Sequence, residues 1–315
     1  MKTMYDHRFQ SVEEIQEEFE QNGYICSKEI ATCLYIAFNL QKPMMVEGPA
    51  GVGKTEMAKT TAEVLGVPLV RLQCYEGLDE SKALYEWKYG KQLLYTQLLK
   101  EKLHDFMGDA ETMEESMAVL HSKEDLFFSE DFLEPRPLFK ALKEKAGCVL
   151  LIDEVDKSDH EFEAFLLEIL SEFQVSIPEI GTLTADIKPI VFLTSNNNRE
   201  MSDALKRRCL HLNVPYPEPE IERRILNSRV PELKENLQKN LVNFIHQIRD
   251  MDLKKSPSIS ETIDWARVLV LLNAEELDKE FVETTLNTVL KFEDDIEAVN
   301  EQLEGLLENM NSPKK

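Results

Sequence analysis

The feature that most constrains the fold of this chain is a glycine-rich octapeptide that ends in Lys-Thr. It matches the pattern Gly-x-x-x-x-Gly-Lys-Ser/Thr, and its residues are Gly48, Pro49, Ala50, Gly51, Val52, Gly53, Lys54 and Thr55. The apolar residues 44–46 before it predict a buried strand, and apolar residues at helical spacing over 57–65 predict a helix after it. In such a loop the backbone N–H groups and the lysine contact phosphate oxygens, while the threonine hydroxyl is placed to ligate Mg²⁺. The strand, loop and helix together predict a site for a nucleoside triphosphate.

The overall charge limits what else the chain is expected to bind. Its 315 residues include 59 acidic and 36 basic ones, for a net charge of −23. A surface of this sign repels the phosphate backbone of DNA or RNA, so we expect no nucleic-acid partner. Acidic helices that face solvent explain the charge more simply than a dedicated basic partner.

The cysteines and the N-terminus predict the compartment. The five cysteines are scattered and form no Cys-x-x-Cys pair, as is typical of reduced residues in a cytosolic protein. The first residues contain no apolar signal segment, and no apolar run approaches the length of a membrane span. We therefore expect a cytoplasmic location and no membrane association.

Apolar runs along the first two thirds of the chain predict an α/β fold with a parallel sheet. Besides the strand before the glycine-rich loop, strands are expected over 67–73, 148–152, 190–194 and 210–214. The run at 148–152 is continuously apolar, as expected of a central parallel strand that is buried on both faces.

Two stretches depart from the alternation of strands and helices. Residues 84–140 are too many for a simple connection, so we interpret them as an insert that begins with a helix over 85–102. Apolar residues with a period of two on both sides of Pro178 predict a β-hairpin over 174–188.

A proline-rich linker predicts the domain boundary. Pro215, Pro217 and Pro219 alternate with polar or aromatic residues and cannot continue a strand or helix. We therefore predict an α/β nucleotide-binding domain over 1–215 and a smaller, all-helical lid domain over 216–315. The expected helices of the lid cover 220–228, 237–249, 263–272 and 281–307.

Two acidic residues follow the apolar run at 148–152 directly. Asp153 and Glu154 should therefore lie at the carboxyl edge of the sheet, where open α/β folds bind their ligands. We expect Asp153 to hold Mg²⁺ through water and Glu154 to polarise a water for attack on the γ-phosphate.

Asn196 ends the predicted strand over 190–195, which should neighbour the strand that ends at Asp153. Its amide could orient the attacking water or contact the γ-phosphate. The alternative is that residues 196–198, three asparagines in a row, only form a turn.

Three arginines complete the candidate set. Arg207 and Arg208 precede the last strand, where an arginine could stabilise charge on a transferring phosphoryl group in its own or a neighbouring subunit; a basic helix end is the alternative. Arg267 interrupts the apolar stretch 263–272, which follows a Ser-x-x-Glu capping box at 258–261. An arginine on an apolar face needs an anionic partner, either an ATP phosphate or a structural ion pair.

Together these segments resemble an AAA+ ATPase over about residues 20–290. Walker A is at 48–55 and Walker B at 149–154, while Asn196 matches sensor 1, Arg207 or Arg208 the arginine finger, and Arg267 sensor 2; Arg208 is favoured as the finger by its place in the motif. Within AAA+ the chain is most similar to the MoxR group, and the segments that carry the similarity are 47–56, 85–95, 132–137 and 258–267.

The resemblance implies Mg²⁺-dependent ATP hydrolysis in a ring, usually hexameric, with each arginine finger reaching the neighbour's nucleotide. It also implies a helical lid, with ATP between the lobes, Gly23, Tyr24 and Ile25 near the base, and Glu56 in the nucleotide-binding set. Chaperone-like remodelling of a protein client would follow. A partner with a von Willebrand factor A domain is often involved, as in the CoxD-like proteins that mature metalloenzymes.

Two other functions stay open at this point. The acidic run at 153–156 resembles the box of a helicase, which would make the protein a nucleic-acid-dependent motor of helicase or McrB-like type, although the negative charge argues against it. A slow, nucleotide-gated binding switch is the other alternative, and the intact Asp153 and Glu154 argue for turnover instead.

Overall fold

A five-stranded parallel sheet forms the centre of the computed structural model, which describes residues 8–95, 97, 129–178 and 180–310. In spatial order its strands are Leu69–Gln73 (β2), Val149–Asp153 (β5), Ile190–Ser195 (β8), Met44–Glu47 (β1) and Leu210–Asn213 (β9). In the register, Val149 lies beside Leu69 and Ile190, and Met44 lies beside Phe192 and Leu210. The predicted α/β fold with a parallel sheet is confirmed.

Helices cover both faces of the sheet. Those of the first two thirds of the chain include Val12–Gln21 (α1), Lys28–Leu40 (α2), Lys54–Leu65 (α3), Glu80–Ala83 (α4), Pro137–Lys143 (α5), His160–Glu172 (α6) and Asp203–Arg208 (α7). Alternate residues of each strand point to opposite faces. Accordingly Leu150 and Ile152 belong to the apolar cluster around α5 and α6, whereas Val149 and Leu151 belong to the one around α1, α2 and α3.

The start of the predicted insert has a different structure from the expected one. Tyr85–Trp87 (β3) pairs antiparallel with Leu133–Pro135 (β4), and the described helical residues begin at 89, so the prediction of a helix from residue 85 is wrong. Pairing with a segment almost fifty residues later outweighs local helical spacing, and the aromatic residues of β3 favour a strand. Most of the predicted insert, 98–128, lies outside the described residues.

The β-hairpin region has the predicted strands. Gln174–Ile177 (β6) and Gly181–Thr184 (β7) pair antiparallel, with Val175 opposite Leu183. Val175, Ile177 and Leu183 are buried in the cluster that includes α6.

After residue 215 the described chain, which ends at residue 310, contains helices and no strand. They are Pro219–Arg229 (α8), Glu235–Arg249 (α9), Ile259–Leu271 (α10), Lys279–Thr285 (α11) and Glu293–Met310 (α12). The predicted single helix over 281–307 is wrong. A 3₁₀ turn at Leu286–Thr288 separates α11 from α12, because Leu286, Val289 and Leu290 turn into the helical core. The helices share one apolar cluster around Trp265, and the domain boundary at residue 215 stays a prediction.

The helices of the described residues are too short or too polar to span a membrane. Within the described residues, no helix combines the length and the apolar character that are needed to cross a bilayer.

Candidate functional site

The glycine-rich loop runs from the end of β1 to the start of α3 and is packed on two sides. Gly48 has a φ of 148° and lies against the backbone of Val214, because a Cβ at Gly48 would come within 2.1 Å of the Val214 carbonyl oxygen. Gly51 has a φ of 73°, and a Cβ there would lie 2.5 Å from the Ser258 hydroxyl at the start of α10. Glycine is therefore required at both positions, and the loop touches both the last strand and the lid.

Lys54 lies inside this loop. Its side chain is buried, and its ammonium group donates to the carbonyl oxygens of Gly48 and Pro49, each at 2.7 Å, and to Asn196 Oδ1 at 2.8 Å. Burial lowers the pKa of Lys54, and the negative charges of Asp156, Asp153 and Glu154 oppose that shift. The three acceptors hold the ammonium group at the open side of the loop, where phosphate oxygens would be bound.

Thr55 and Asp153 meet at the carboxyl edge of the sheet. The Thr55 hydroxyl donates to Asp153 Oδ1 at 3.1 Å, and Asp153 is only 3% exposed. A second hydroxyl, that of Thr194 on β8, also donates to Asp153 Oδ1. Hydroxyl and carboxylate oxygens side by side are ligands that suit Mg²⁺, so these residues fit a magnesium site.

Glu154 and Asn196 meet at the same edge, since β5 and β8 are neighbours as predicted. Asn196 Nδ2 donates to Glu154 Oε1 at 3.2 Å, while Asn196 Oδ1 accepts from Lys54. The amide therefore joins the loop lysine to the acidic residue that was expected to activate water. Glu154 has a left-handed backbone with a φ of 56°, which turns its side chain back towards the sheet edge.

Further partners of the two acids come from residues that the sequence analysis missed. Arg71 Nε and Nη2 donate to Asp153 Oδ2 at 3.0 and 2.6 Å. Gln73 Nε2 donates to Glu154 Oε2 at 2.7 Å, and so does Lys157 Nζ at the same distance. Arg71 and Gln73 lie two residues apart at the end of β2. Their polar alternation in a short strand was the signal that could have identified them.

Two adjoining cavities lie along this edge. The polar cavity has about 350 Å³ and is lined by the glycine-rich loop, both acids, Thr194 and Asn196. The apolar cavity has about 630 Å³, and its lining includes Gly23, Tyr24 and Ile25 as well as isoleucines of the lid. Gly51, Gly53, Glu56 and Ser260 line both cavities.

Residues of the lid and of the segment before α2 line the apolar cavity. Tyr24 is buried and its ring lies 3.6 Å from the position of a Cβ at Gly53. Burial raises the pKa of the Tyr24 hydroxyl, so that it is neutral at ordinary pH. Glu56 of α3 accepts from Arg229 of α8 at 2.8 Å, which ties the lid to the loop helix. Arg229 is another residue that the sequence analysis missed.

Arg267 lines the apolar cavity together with Ile263 of the same apolar stretch. Its side chain is 61% exposed and pairs with Asp264 at 3.3 Å. The face of α10 that packs into the lid core is formed by Trp265, Ala266 and Leu269. The structure thus has the ion pair that was the alternative, and the role of sensor 2 stays a prediction.

Arg207 and Arg208 lie in the exposed last turn of α7, away from both cavities of this chain as far as it is described. Arg208 Nε donates to the Ser171 hydroxyl at 2.8 Å, and Nη1 donates to the Ala204 carbonyl oxygen. Neither arginine can contact a nucleotide in its own chain in this arrangement.

Comparison with known families supports the interpretation of the loop and strands. Residues 43–209 match the family described as AAA domain (dynein-related subfamily). The matched segment begins one residue before β1 and ends one residue after Arg208. It therefore contains the polar cavity's loop and acids, whereas Gly23–Ile25 and Arg267 lie outside it.

Individual relatives and solved structures share only a low sequence identity with this chain. An uncharacterized protein of Staphylococcus epidermidis is 24% identical over 242 residues, which are 75% of this chain and 78% of that protein. An uncharacterized protein of Staphylococcus aureus is 24% identical over 239 residues, or 74% and 77% of the two chains. Among solved structures, the Thermotoga maritima RuvB Holliday junction branch migration motor is 15% identical with a TM-score of 0.43, over 89% of this chain and 72% of that chain. A point mutant of that RuvB is 16% identical with a TM-score of 0.46, over 95% and 81%.

Proposed function

Because this chain belongs to the dynein-related subfamily of AAA domains, we propose that it is a Mg²⁺-dependent ATPase of the MoxR type, which uses ATP hydrolysis to remodel or mature a protein client. One observation carries the proposal. The Asn196 amide links the loop lysine Lys54 to Glu154, next to the contact between Thr55 and Asp153. Residues from three separate segments of the chain thus bring phosphate-binding, cation-binding and water-activating groups to one sheet edge.

Binding would use both cavities. The phosphates of ATP would lie in the polar cavity, against Lys54 and the backbone N–H groups at the start of α3. The base would enter the apolar cavity beside Gly23, Tyr24 and Ile25, which are neutral residues.

The cation would be held by the hydroxyl of Thr55 and, through water, by the carboxylate of Asp153. A cation held there would supply positive charge that offsets the negative charge of the phosphates. Arg71 now donates two hydrogen bonds to the same carboxylate, so its guanidinium would have to release Asp153 as the cation is bound.

Hydrolysis would be carried out by Glu154 and Asn196. Glu154 would accept a proton from the water that attacks the γ-phosphorus, while the bond to the bridging oxygen breaks and ADP leaves with phosphate as the second product. Asn196 would orient that water or the γ-phosphate from its position beside Lys54. Lys157 and Gln73 hold Glu154 from the other side, and it would act once at least one of them has released it.

The assembly, the partner and the location belong to the same proposal. A homohexameric ring in the cytoplasm would place the exposed Arg208, or its neighbour Arg207, at the next subunit's nucleotide. The similarity to the MoxR group in segments 85–95 and 132–137 supports a von Willebrand factor A domain partner and a protein client, with a metalloenzyme as one candidate client. The pairing of β3 with β4 joins these two segments in space.

The first test compares light-scattering masses and phosphate release for two variants. Glu154→Gln should bind ATP without turning it over, so that Mg·ATP would drive a 36.4 kDa chain to about 218 kDa, the mass of six copies. Lys54→Ala is the matched control and should stay at the monomer mass, with no phosphate release above background. Unchanged ATPase activity in Lys54→Ala would contradict the proposed hydrolysis, and a Glu154→Gln monomer with bound ATP would contradict the nucleotide-driven ring.

A nucleotide-gated switch is the second candidate, and one observation favours it. The Glu154 carboxylate accepts from Asn196, Gln73 and Lys157 together, which reduces its availability as a base. A switch would show tight ATP binding and an ATP-dependent change in protease sensitivity without steady-state phosphate release. Stimulation of phosphate release by DNA or RNA would instead support a nucleic-acid motor.

A further inference from the structure

We propose that Asp156 is a positioning residue that fixes the Asn196 amide between Lys54 and Glu154; this inference rests on the proposed ATP hydrolysis. Asp156 lies in the 3₁₀ turn Val155–Lys157, directly after the two acids that end β5, and is only 4% exposed. No sequence motif singled it out as separate from those acids.

All hydrogen bonds of the Asp156 carboxylate go to the loop that follows β8. Its Oδ2 accepts from the backbone N–H of Asn196 at 3.3 Å, from the backbone N–H of Asn198 at 3.1 Å and from Asn198 Nδ2 at 2.8 Å. Hydrogen bonds to an ionised acceptor are stronger than those between neutral groups. Asp156 therefore holds the loop on both sides of Asn197.

These hydrogen bonds matter for the loop because one of its residues has a left-handed backbone conformation. Asn197 has a φ of 60°, in the left-handed region, and its N–H donates to the Ser195 hydroxyl at 3.0 Å. A residue in this region costs free energy unless the surrounding structure holds it in place. The direction in which the Asn196 side chain leaves the loop follows from this turn.

The amide of Asn196 has only one workable orientation at its position. An ammonium group only donates and an ionised carboxylate only accepts, so the amide oxygen must face Lys54 and the amide nitrogen must face Glu154. A small rotation of the loop would break one of these contacts or both. Asp156 thus controls the geometry of a group that touches both the phosphate-binding lysine and the water-activating acid.

The other carboxylate oxygen has no such role. Asp156 Oδ1 is buried and has no hydrogen-bond partner among the described residues. An unpaired buried oxygen costs free energy, so the three hydrogen bonds that Oδ2 accepts have to offset the burial of the carboxylate. The negative charge close to Lys54 is the second effect of the same group.

The test is a double-mutant cycle on the full chain. Asp156→Ala should lower kcat by about ten- to a hundredfold, as expected of a displaced catalytic group, with ADP affinity changed by less than about threefold. Asn196→Ala should have a similar effect, and the double variant should be no slower than Asn196→Ala alone. Losses that multiply in the double variant would show that Asp156 does not act through Asn196 and would overturn the inference.

Two further variants separate positioning from folding. Asp156→Asn keeps an acceptor oxygen for the three donors, so its kcat should stay within about threefold of that of the unsubstituted protein even if its melting temperature falls. Asp295 is a matched control, since it is 3% exposed, accepts from the backbone N–H groups of Lys254 and Lys255 and lines neither cavity. Asp295→Ala should lower the melting temperature and leave kcat unchanged. If Asp156→Ala does not fold, Asp156→Thr takes its place in the cycle.

A readout without turnover distinguishes this inference from the proposed function. In protein labelled with ¹⁵N at asparagine, the side-chain amide resonance that is missing from Asn196→Asp belongs to Asn196. It should shift or broaden in Asp156→Ala and stay in place in Asp295→Ala. An unchanged resonance would overturn the positioning role. A shifted resonance in a protein that never releases phosphate would uphold it and count against ATP hydrolysis instead.

Discussion

The polar and apolar cavities adjoin, yet they are built in opposite ways. The polar cavity is formed mainly by residues at the ends of three neighbouring strands, β2, β5 and β8, and by the glycine-rich loop, and nearly every polar side chain in it is hydrogen-bonded to another. The apolar cavity is formed mainly by the segment before α2, the end of β9 and two lid helices, α8 and α10, and its lining combines aliphatic side chains with charged ones. The first can discriminate charge states of a ligand, whereas the second can hold a flat, neutral group.

The difference predicts that the two cavities control different constants. Changes in the polar cavity should act on turnover and on cation dependence, and changes in the apolar cavity should act on nucleotide affinity. The four predictions that follow test this division, beginning with the largest effect.

Glu154→Gln should lower kcat by about 10²- to 10⁴-fold, the range for removal of a general base, and change the dissociation constant of ATP by less than about threefold. Phosphate release and equilibrium binding of a fluorescent ATP analogue are the two measurements. Glu161→Gln, on the outer face of α6, is the control. An equal loss of ATP binding and turnover would contradict the assignment of turnover to the polar cavity and of nucleotide affinity to the apolar cavity.

Ile225→Arg should weaken ATP and ADP binding by about ten- to a hundredfold, because a charge in an apolar slot must be desolvated when the base enters. The value of kcat at saturating ATP should change by less than about threefold, since the polar cavity is untouched. Titration of both nucleotides with isothermal calorimetry measures the effect. A variant with normal affinity and low kcat would place the base elsewhere.

Arg71→Met should lower the Mg²⁺ concentration for half-maximal ATPase activity by about threefold to tenfold, because the half-exposed Arg71 competes for the buried carboxylate of Asp153. Arg8→Met, which removes an exposed ion pair with Glu18 far from the site, is the control. The measurement is phosphate release at fixed ATP over a range of Mg²⁺. An increased Mg²⁺ requirement would show that Arg71 supports the cation site instead.

The pH dependence of binding should differ between ADP and adenosine. Burial lowers the pKa of Lys54, so its positive charge is lost at a lower pH than that of an ordinary lysine, and a phosphate-bearing ligand loses affinity as pH rises. ADP affinity should therefore fall by about twofold to fivefold between pH 8 and pH 9.5, while adenosine affinity stays constant. Equal pH profiles for the two ligands would contradict the separate placement of phosphates and base.

The same division explains what could be predicted from sequence. Lys54, Thr55, Asp153 and Glu154 could be identified because each lies in a short segment whose pattern fixes its backbone. The neighbourhood of Asn196 followed from the order of strands. These predictions depend on residues that are close together in the chain.

What could not be predicted depends on packing between distant segments. Arg71 and Gln73 reach the acids only because β2 pairs with β5, and residues 85–87 form a strand only because residues 133–135 pair with them. The exposure of Arg267 could not be predicted, because the rotation of α10 is decided by the burial of Trp265 against Phe244 and the hydrogen bond of Trp265 to Thr285. The spacing of apolar residues along the chain does not predict these contacts.

The contact between Gly51 and Ser258 has a mechanical consequence. Ser258 caps α10 and forms reciprocal hydrogen bonds with Glu261. The glycine-rich loop therefore packs against the capped N-terminus of a 13-residue helix. Such a helix is about 20 Å long, and a tilt of about 5° at its cap would move the opposite end by roughly 1.7 Å. That end carries Leu271 and Leu272, which are 76% and 57% exposed. A small shift of the loop at the N-terminal cap of α10 would therefore become a larger displacement at the exposed C-terminal end of the helix.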